Sequence, residues 1–146
     1  MSVLATCNGC FDGLHQGHLF FLGFCVAQAD SLIVGINTDE YIRRQKNREP
    51  YYSVEVRRKA LLSLGFIQDV FVFEEQVPND FIRKINPDVH CTGSEYGKDC
   101  SERSVCDDIG ADLILVPRIK YWASSKLDDE AANSVKSYMD RLIYES

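Results

Sequence analysis

Residues Val3 to Asn37 read VLATCNGCFDGLHQGHLFFLGFCVAQADSLIVGIN, and this stretch decides the fold. Val3 to Cys7 is a short apolar run of the kind that forms a strand. Asn8 to Leu14 is a loop punctuated by glycine. From His15 or Gly17 to about Ala29 the pattern is helical, with Leu19, Phe20, Phe21, Leu22, Phe24, Cys25 and Val26 making it apolar nearly all round. A helix of that kind is expected to be well buried. Ser31 to Asn37 (SLIVGIN) is a continuous apolar run, the mark of a strand in a parallel sheet covered on both faces.

The same alternation continues along the chain. A short helix is predicted over Thr38 to Gln45, then a connection from Lys46 to Tyr52 that carries Pro50. Ser53 is placed to cap a helix from Val54 to Leu64. Strands follow at Asp69 to Phe73, Val89 to Thr92 and Asp112 to Val116. Between them lie helices from Asn79 or Asp80 to Ile85, stopped by Pro87, and from Glu102 to Ile109. A last helix is expected from Ser124 or Ser125 to about Tyr144. Repeated strand–helix alternation with short connections predicts an α/β fold. We read residues 1–146 as a single Rossmann-like domain, a five-stranded parallel sheet with helices on both faces. Ligands of such sheets sit beyond the carboxyl ends of the strands, where the strand order reverses. The loops after Cys7, Asn37, Thr92 and Val116 are therefore expected to surround one cleft.

Composition narrows the function classes. The 146 residues are 45% apolar and 26% charged, as in ordinary globular proteins. No apolar run is long enough to span a bilayer, and Met1 to Thr6 lacks the features of a secretory signal. A cytoplasmic protein with no membrane partner is expected. The net charge of −6 argues against broad nucleic-acid binding, which needs many phosphate-facing cations. Yet Arg43, Arg44, Lys46, Arg48, Arg57, Arg58 and Lys59 fall in one short segment, which fits a small anionic ligand. Of the six cysteines, Cys7 and Cys10 have metal-ligand spacing, but no second pair completes four ligands. No metal-binding residue is assigned. A redox role for the same pair is disfavoured because the helix opens several residues later, at the histidines. No G-x-G-x-x-G follows the first strand, so a dinucleotide dehydrogenase is not indicated.

The segment Asn8-Gly9-Cys10-Phe11-Asp12-Gly13-Leu14-His15-Gln16-Gly17-His18 carries the chemistry. Two imidazoles three residues apart on a helix's first turn project from one side. Backbone N–H groups and the positive end of the helix dipole favour phosphate there, and Gly17 lets a ligand or another backbone approach. In-line attack on phosphorus spreads negative charge over its oxygens, so donors fixed in advance lower the barrier.

This segment resembles the HxGH nucleotidyltransferases, closest to the bacterial heptose 1-phosphate adenylyltransferases and next to the glycerol-3-phosphate cytidylyltransferases. The likeness extends through Ile36-Asn37-Thr38-Asp39, Ser53-Val54-Glu55-Val56-Arg57-Arg58, Phe73-Glu74-Glu75, Pro87-Asp88, Gly93-Ser94-Glu95-Tyr96, and Pro117-Arg118 with Ser124-Ser125-Lys126. Thr92 and Glu95 stand where the adenylyltransferase pattern has lysine and aspartate. The resemblance implies that His15 and His18 stabilise the α-phosphate and the departing pyrophosphate, with Lys46 and Arg118 as further catalytic groups. It implies that Gly9, Cys10, Phe11, Asp12, Gly17, Gly93, Ser124 and Ser125 bind the nucleotide, and that Asp39, Arg57 and Glu95 contact the acceptor. The reaction implied is attack by a substrate phosphate on a nucleoside triphosphate, aided by Mg²⁺. The small-molecule partners would then be that triphosphate and a small phosphorylated substrate, ATP with heptose 1-phosphate in the first reading. CTP with glycerol 3-phosphate is the alternative, and a non-catalytic nucleotide-binding regulator is the alternative of another class. Since family members are commonly dimers, a homodimer is expected.

Other residues have plainer readings. His90, in a strand, is expected to pack. Asp107-Asp108 and Asp128-Asp129 are expected to be solvated charge on helix surfaces. Tyr121 and Trp122 could stack on a base or pack at the surface.

Overall fold

In a computed structural model of the chain, the described residues are 2–74, 78–94, 97 and 100–117. They form five strands, β1 (Leu4–Gly9), β2 (Ser31–Asn37), β3 (Asp69–Phe73), β4 (Val89–Gly93) and β5 (Asp112–Val116). Five helices alternate with them: α1 (Gln16–Ala27), α2 (Asp39–Lys46), α3 (Val54–Leu62), α4 (Asn79–Ile85) and α5 (Glu102–Ile109). The sheet order is β3-β2-β1-β4-β5, with every pairing parallel. The expected five-stranded parallel α/β sheet is therefore present. The helix expected from Ser124 or Ser125 lies outside the described residues.

Side chains alternate across the sheet and sort into two cores. Leu32, Val34 and Ile36 join Ala5, Cys7 and Cys91 beneath α1 and α3, where Phe20, Phe24 and Leu61 complete one cluster. Ile33 and Phe73 face the other way, onto Phe81, Ile82 and Val105 of α4 and α5. The continuous apolar character of β2 follows from this double burial. Helix starts are set by local chemistry: Thr38 accepts from the Tyr41 amide and Ser53 from the Val56 amide, so α2 and α3 begin at side-chain caps. Among the described residues no helix is long and apolar enough to cross a membrane.

This topology fixes where a ligand can sit. The chain runs outward from β1 to β2 and β3, then returns to the other side of β1 for β4 and β5. The strand order thus reverses between β1 and β4, and the segments leaving their carboxyl ends diverge to open a crevice.

Candidate active site

The exit from β1 is shaped by Phe11, whose backbone has positive φ (49°) and whose ring is buried. The ring lies 5.2 Å from that of His18 and 6.5 Å from Phe21, so it forms a wall under the first turn of α1. Gly9 makes room for it, since a Cβ there would come within 3.0 Å of the Phe11 ring. His15 is the N-cap of α1. Its Nδ1 accepts the Gly17 amide at 3.0 Å, while His18 Nδ1 accepts the His15 amide at 3.3 Å. The two rings stack with centroids 3.8 Å apart and planes 29° apart.

These bonds assign the tautomers. An Nδ1 that accepts a backbone N–H carries no proton in the neutral ring, so the hydrogen of each imidazole sits on Nε2. Burial, and then the neighbouring His15, push the His18 pKa down to about 4. At neutral pH His18 is therefore an uncharged ring held by a cap, with a hydrogen bond to the Gly13 backbone opposing the fall in its pKa.

His18 lines a cavity of about 700 Å³ at the crevice between β1, β2 and β4. Asn8, Gly9, Cys10, Phe11 and Phe21 share its central wall. One flank is built by Asn37, Tyr41, Gln45 and Lys46 after β2, and the other by Thr92, Gly93, Cys100, Ser101 and Glu102 after β4. His15 is exposed at the mouth, joined to the cavity through its stacking on His18. Of the basic segment, Lys46 is the residue that reaches the cavity among the described ones. Arg43 and Arg44 instead pair with Glu40, and Arg43 also with Glu49, on the surface.

Three groups of expected site residues are engaged by the protein itself. Asp12 does not face the cavity; its oxygens accept from Arg48 and from the Tyr51 and Tyr52 amides, each at 2.9 Å. Although burial opposes it, these bonds hold its carboxyl below the usual range. Arg57 and Asp39 do not contact the cavity either. The Arg57 side chain is fully buried and donates to the Cys10, Asn37 and Tyr52 carbonyls and to Asp39 Oδ1. It fastens the loops after β1 and β2 to the start of α3, because only a long, forked donor can satisfy several buried acceptors at once. Gly17, finally, makes room for a ring of the protein itself, as a Cβ there would lie 2.9 Å from His15 Cε1.

Sequence reasoning missed Tyr41, Gln45, Phe21 and Glu102, all on the cavity wall. Phe21 lies one turn after His18 and could have been found from that spacing, since residues one turn apart share a face; Tyr41 and Gln45 stand five residues and one residue from Lys46, so their spacing to it gave no such signal. Glu102 carried no pattern signal. The expected sites Arg118, Glu95, Ser124 and Ser125, with Tyr121 and Trp122, lie outside the described residues. Cys10 lines the cavity, but burial raises its pKa and keeps the thiol protonated. Cys7 is buried instead, next to Cys25 on α1, so the two do not form an exposed, acidic dithiol. His90 is fully buried, with Nδ1 2.7 Å from Thr6 Oγ1.

Residues 6–123 match the family model described as cytidylyltransferase-like. The bifunctional protein HldE of Campylobacter curvus is 33% identical over 131 residues, covering 88% of this chain and 26% of the relative. That of Pseudomonas entomophila is 40% identical over 108 residues, 73% of this chain and 21% of the relative. The chain thus spans about a quarter of the length of these curated relatives. Among solved structures, the lipopolysaccharide core biosynthesis protein from Thermoplasma volcanium superposes with a TM-score of 0.65 at 22% identity, over 83% of this chain and 99% of that one. The pantoate-beta-alanine ligase from Francisella tularensis shares the fold with a TM-score of 0.60 at 13% identity, over 94% and 78%. With the paired histidines at the switch point and a family match over most of its length, the chain belongs to the cytidylyltransferase-like family.

Proposed function

We propose that this chain is a nucleotidyltransferase that moves a nucleoside monophosphate from a nucleoside triphosphate to a small phosphorylated acceptor. An oxygen of the acceptor phosphate attacks the α-phosphorus. The bond from that phosphorus to the α,β-bridging oxygen breaks, and its electron pair departs with pyrophosphate. The observation that carries this reading is the capped, stacked His15–His18 pair at the cleft, with the uncharged His18 facing Lys46 across the cavity wall. An uncharged imidazole and a lysine ammonium at the cavity wall supply stabilisation where negative charge builds on the phosphate oxygens. The Arg57 clasp holds the Cys10 and Asn37 backbones in place for this, so little rearrangement is needed when the triphosphate enters.

Mg²⁺ fits such a site as a companion of the triphosphate. The described residues contain no cluster of three ligating side chains, and Asp12 is consumed by its own hydrogen bonds. Mg²⁺ is commonly held through substrate phosphates and water, and it would enter here with the triphosphate. Bound there, the ion would offset phosphate charge.

The matches to the HldE proteins and the likeness of the opening motif support ATP and a heptose 1-phosphate as the first substrates to test. The test is a matrix of ATP and CTP against sugar 1-phosphates and glycerol 3-phosphate, with Mg²⁺, following pyrophosphate. Release that needs both a nucleotide and an acceptor is expected. Nucleotide binding without release across the whole matrix would reject the enzyme and leave a regulator.

A further inference from the structure

We infer that Glu102 is a specificity residue: its cavity-facing carboxylate accepts hydrogen bonds from neutral hydroxyl groups of the ligand, on the flank of the cleft opposite Lys46. The inference rests on the nucleotidyl-transfer reading only for the identity of that ligand.

Glu102 is buried, with 7% of its surface exposed, yet it lines the cavity. One oxygen accepts from Ser101 Oγ at 2.9 Å. None of the ion pairs among the described residues includes it. A carboxylate offers about four lone-pair positions, and a buried one is costly unless they are used. The Cys100 thiol shares a hydrogen bond with Glu102 as well, so with Ser101 two of these positions are used and acceptor capacity remains on a residue that lines the cavity.

The chemistry of that occupant follows from the surroundings. Glu102 is the first residue of α5, where the positive end of the helix dipole offsets part of its charge. A full cation is not required to balance it. Among the described residues, the rest of this flank, Thr92, Gly93, Cys100 and Ser101, is short and uncharged. Such a wall suits a neutral donor group, and a carboxylate with two acceptor atoms matches a pair of adjacent hydroxyls.

A polar column behind the wall supports the same view. Thr92 and Asn8 line the cavity, and His90 and Thr6 sit one step deeper on the same face of β4 and β1, joined by their hydrogen bond. His90 is completely buried and its Nε2 has no partner among the described residues. The charge of Glu102 acts on this ring. A core built only for packing would place apolar side chains here; the column instead continues the polar wall of the cleft.

Adjacent hydroxyls could come from the ribose of the nucleotide or from a polyol acceptor, and calorimetric binding separates the two. ATP and CTP are compared with their 2′,3′-dideoxy forms, and sugar 1-phosphates with propyl phosphate, on wild type and Glu102→Gln. Hydrogen bonds to a charged group contribute about 1.5–3 kcal/mol, so wild type should favour the hydroxylated form by roughly 10- to 100-fold in one arm. E102Q should erase most of that preference while leaving the form without hydroxyls bound as before. The arm in which this happens names the source. Equal binding of both forms in both arms by wild type overturns the inference, as does a preference that E102Q retains. Loss of Mg²⁺ dependence alone in E102Q would make the residue a metal ligand and overturns it too. If E102Q does not fold, Glu102→Asp, which keeps the charge but withdraws the oxygens by one methylene, carries the same comparison. A wild type that binds neither nucleotide removes the nucleotidyl-transfer reading, and the sugar arm then decides on Glu102 alone.

Discussion

Acidification should destabilise this protein through His90 as the pH falls below about 6.5. Complete burial pushes the His90 pKa down to about 4 from an ordinary 6.5, with the charge of Glu102 opposing the shift. The unfolded chain therefore binds a proton near pH 6.5 that the folded chain refuses until about pH 4. Stability is unaffected above 6.5, falls as the pH drops through that window, and stops changing for this group below 4. A gap of this size corresponds to about 3 kcal/mol in full and to roughly 2 kcal/mol at pH 5. Domains of this size are commonly held by about 5–15 kcal/mol, so the loss is easily measured. Asp12, with its carboxyl held below the usual range, contributes stability that persists above pH 4 and so does not confuse the window. Half-buried His18 shifts in the same direction, which makes a variant necessary. His90→Leu should cost about 1–3 kcal/mol at pH 7.5, because the Thr6 hydroxyl is left buried without its partner. It should also flatten the decline between pH 6.5 and 4.5 relative to wild type. Urea unfolding at four or five pH values measures both. Parallel curves for wild type and H90L, within about 0.5 kcal/mol, would refute the argument.

Four further outcomes follow from the same geometry. His15→Ala and His18→Ala should each lower turnover by roughly 10²–10³, the scale of losing one preorganised donor, with the fold retained at a cost of about 1 kcal/mol for the lost cap bond; wild-type rates in both would remove their proposed role. In the free protein, NMR titration should find His18 uncharged down to about pH 5, because its pKa lies near 4; a midpoint above 6 contradicts the buried, stacked arrangement. Arg57→Met should destabilise by about 3–5 kcal/mol, the cost of leaving Asp39 and three carbonyls without their donor; chemical denaturation checks this, and a loss under 1 kcal/mol would mean the loops hold without the clasp. Lys46→Ala should weaken triphosphate binding about tenfold or more and reduce its salt dependence, read by calorimetry at two ionic strengths.

The fold was legible because its signals are repeated and local. SLIVGIN is a continuous apolar run that suits a covered parallel strand, DVFVF and DLILV are apolar runs that form the partly covered edge strands, and β2, β3 and β5 begin and end where those runs do. Ser53 and the Pro87 stop marked helix limits for the same reason, as both act on backbone groups within one turn. The limits of β1 and β4 were less well read. Both strands extend to a glycine at the cleft, and a pattern of apolar residues gives no warning that pairing continues through Asn8-Gly9 or Thr92-Gly93.

The site was legible only where its residues act through local geometry. His15 and His18 meet because the first turn of a helix brings them together, so four residues of sequence suffice to predict their contact. Asp12, Asp39 and Arg57 sit in the same loops and in the same motifs, and as sequence they are indistinguishable from ligand contacts. What separates the two groups is where each polar atom finds its partner. The four hydrogen bonds of Arg57 all end on the protein's own atoms, and both Asp12 oxygens end on the segment before α3. Lys46 and Glu102, by contrast, reach the cavity from opposite sides of β1. Charged residues around this cleft thus divide into those that hold its walls and those that face its contents, and the division depends on contacts made across as many as 47 residues of chain. A motif records both kinds alike, since losing the clasp displaces the backbone that the facing residues depend on.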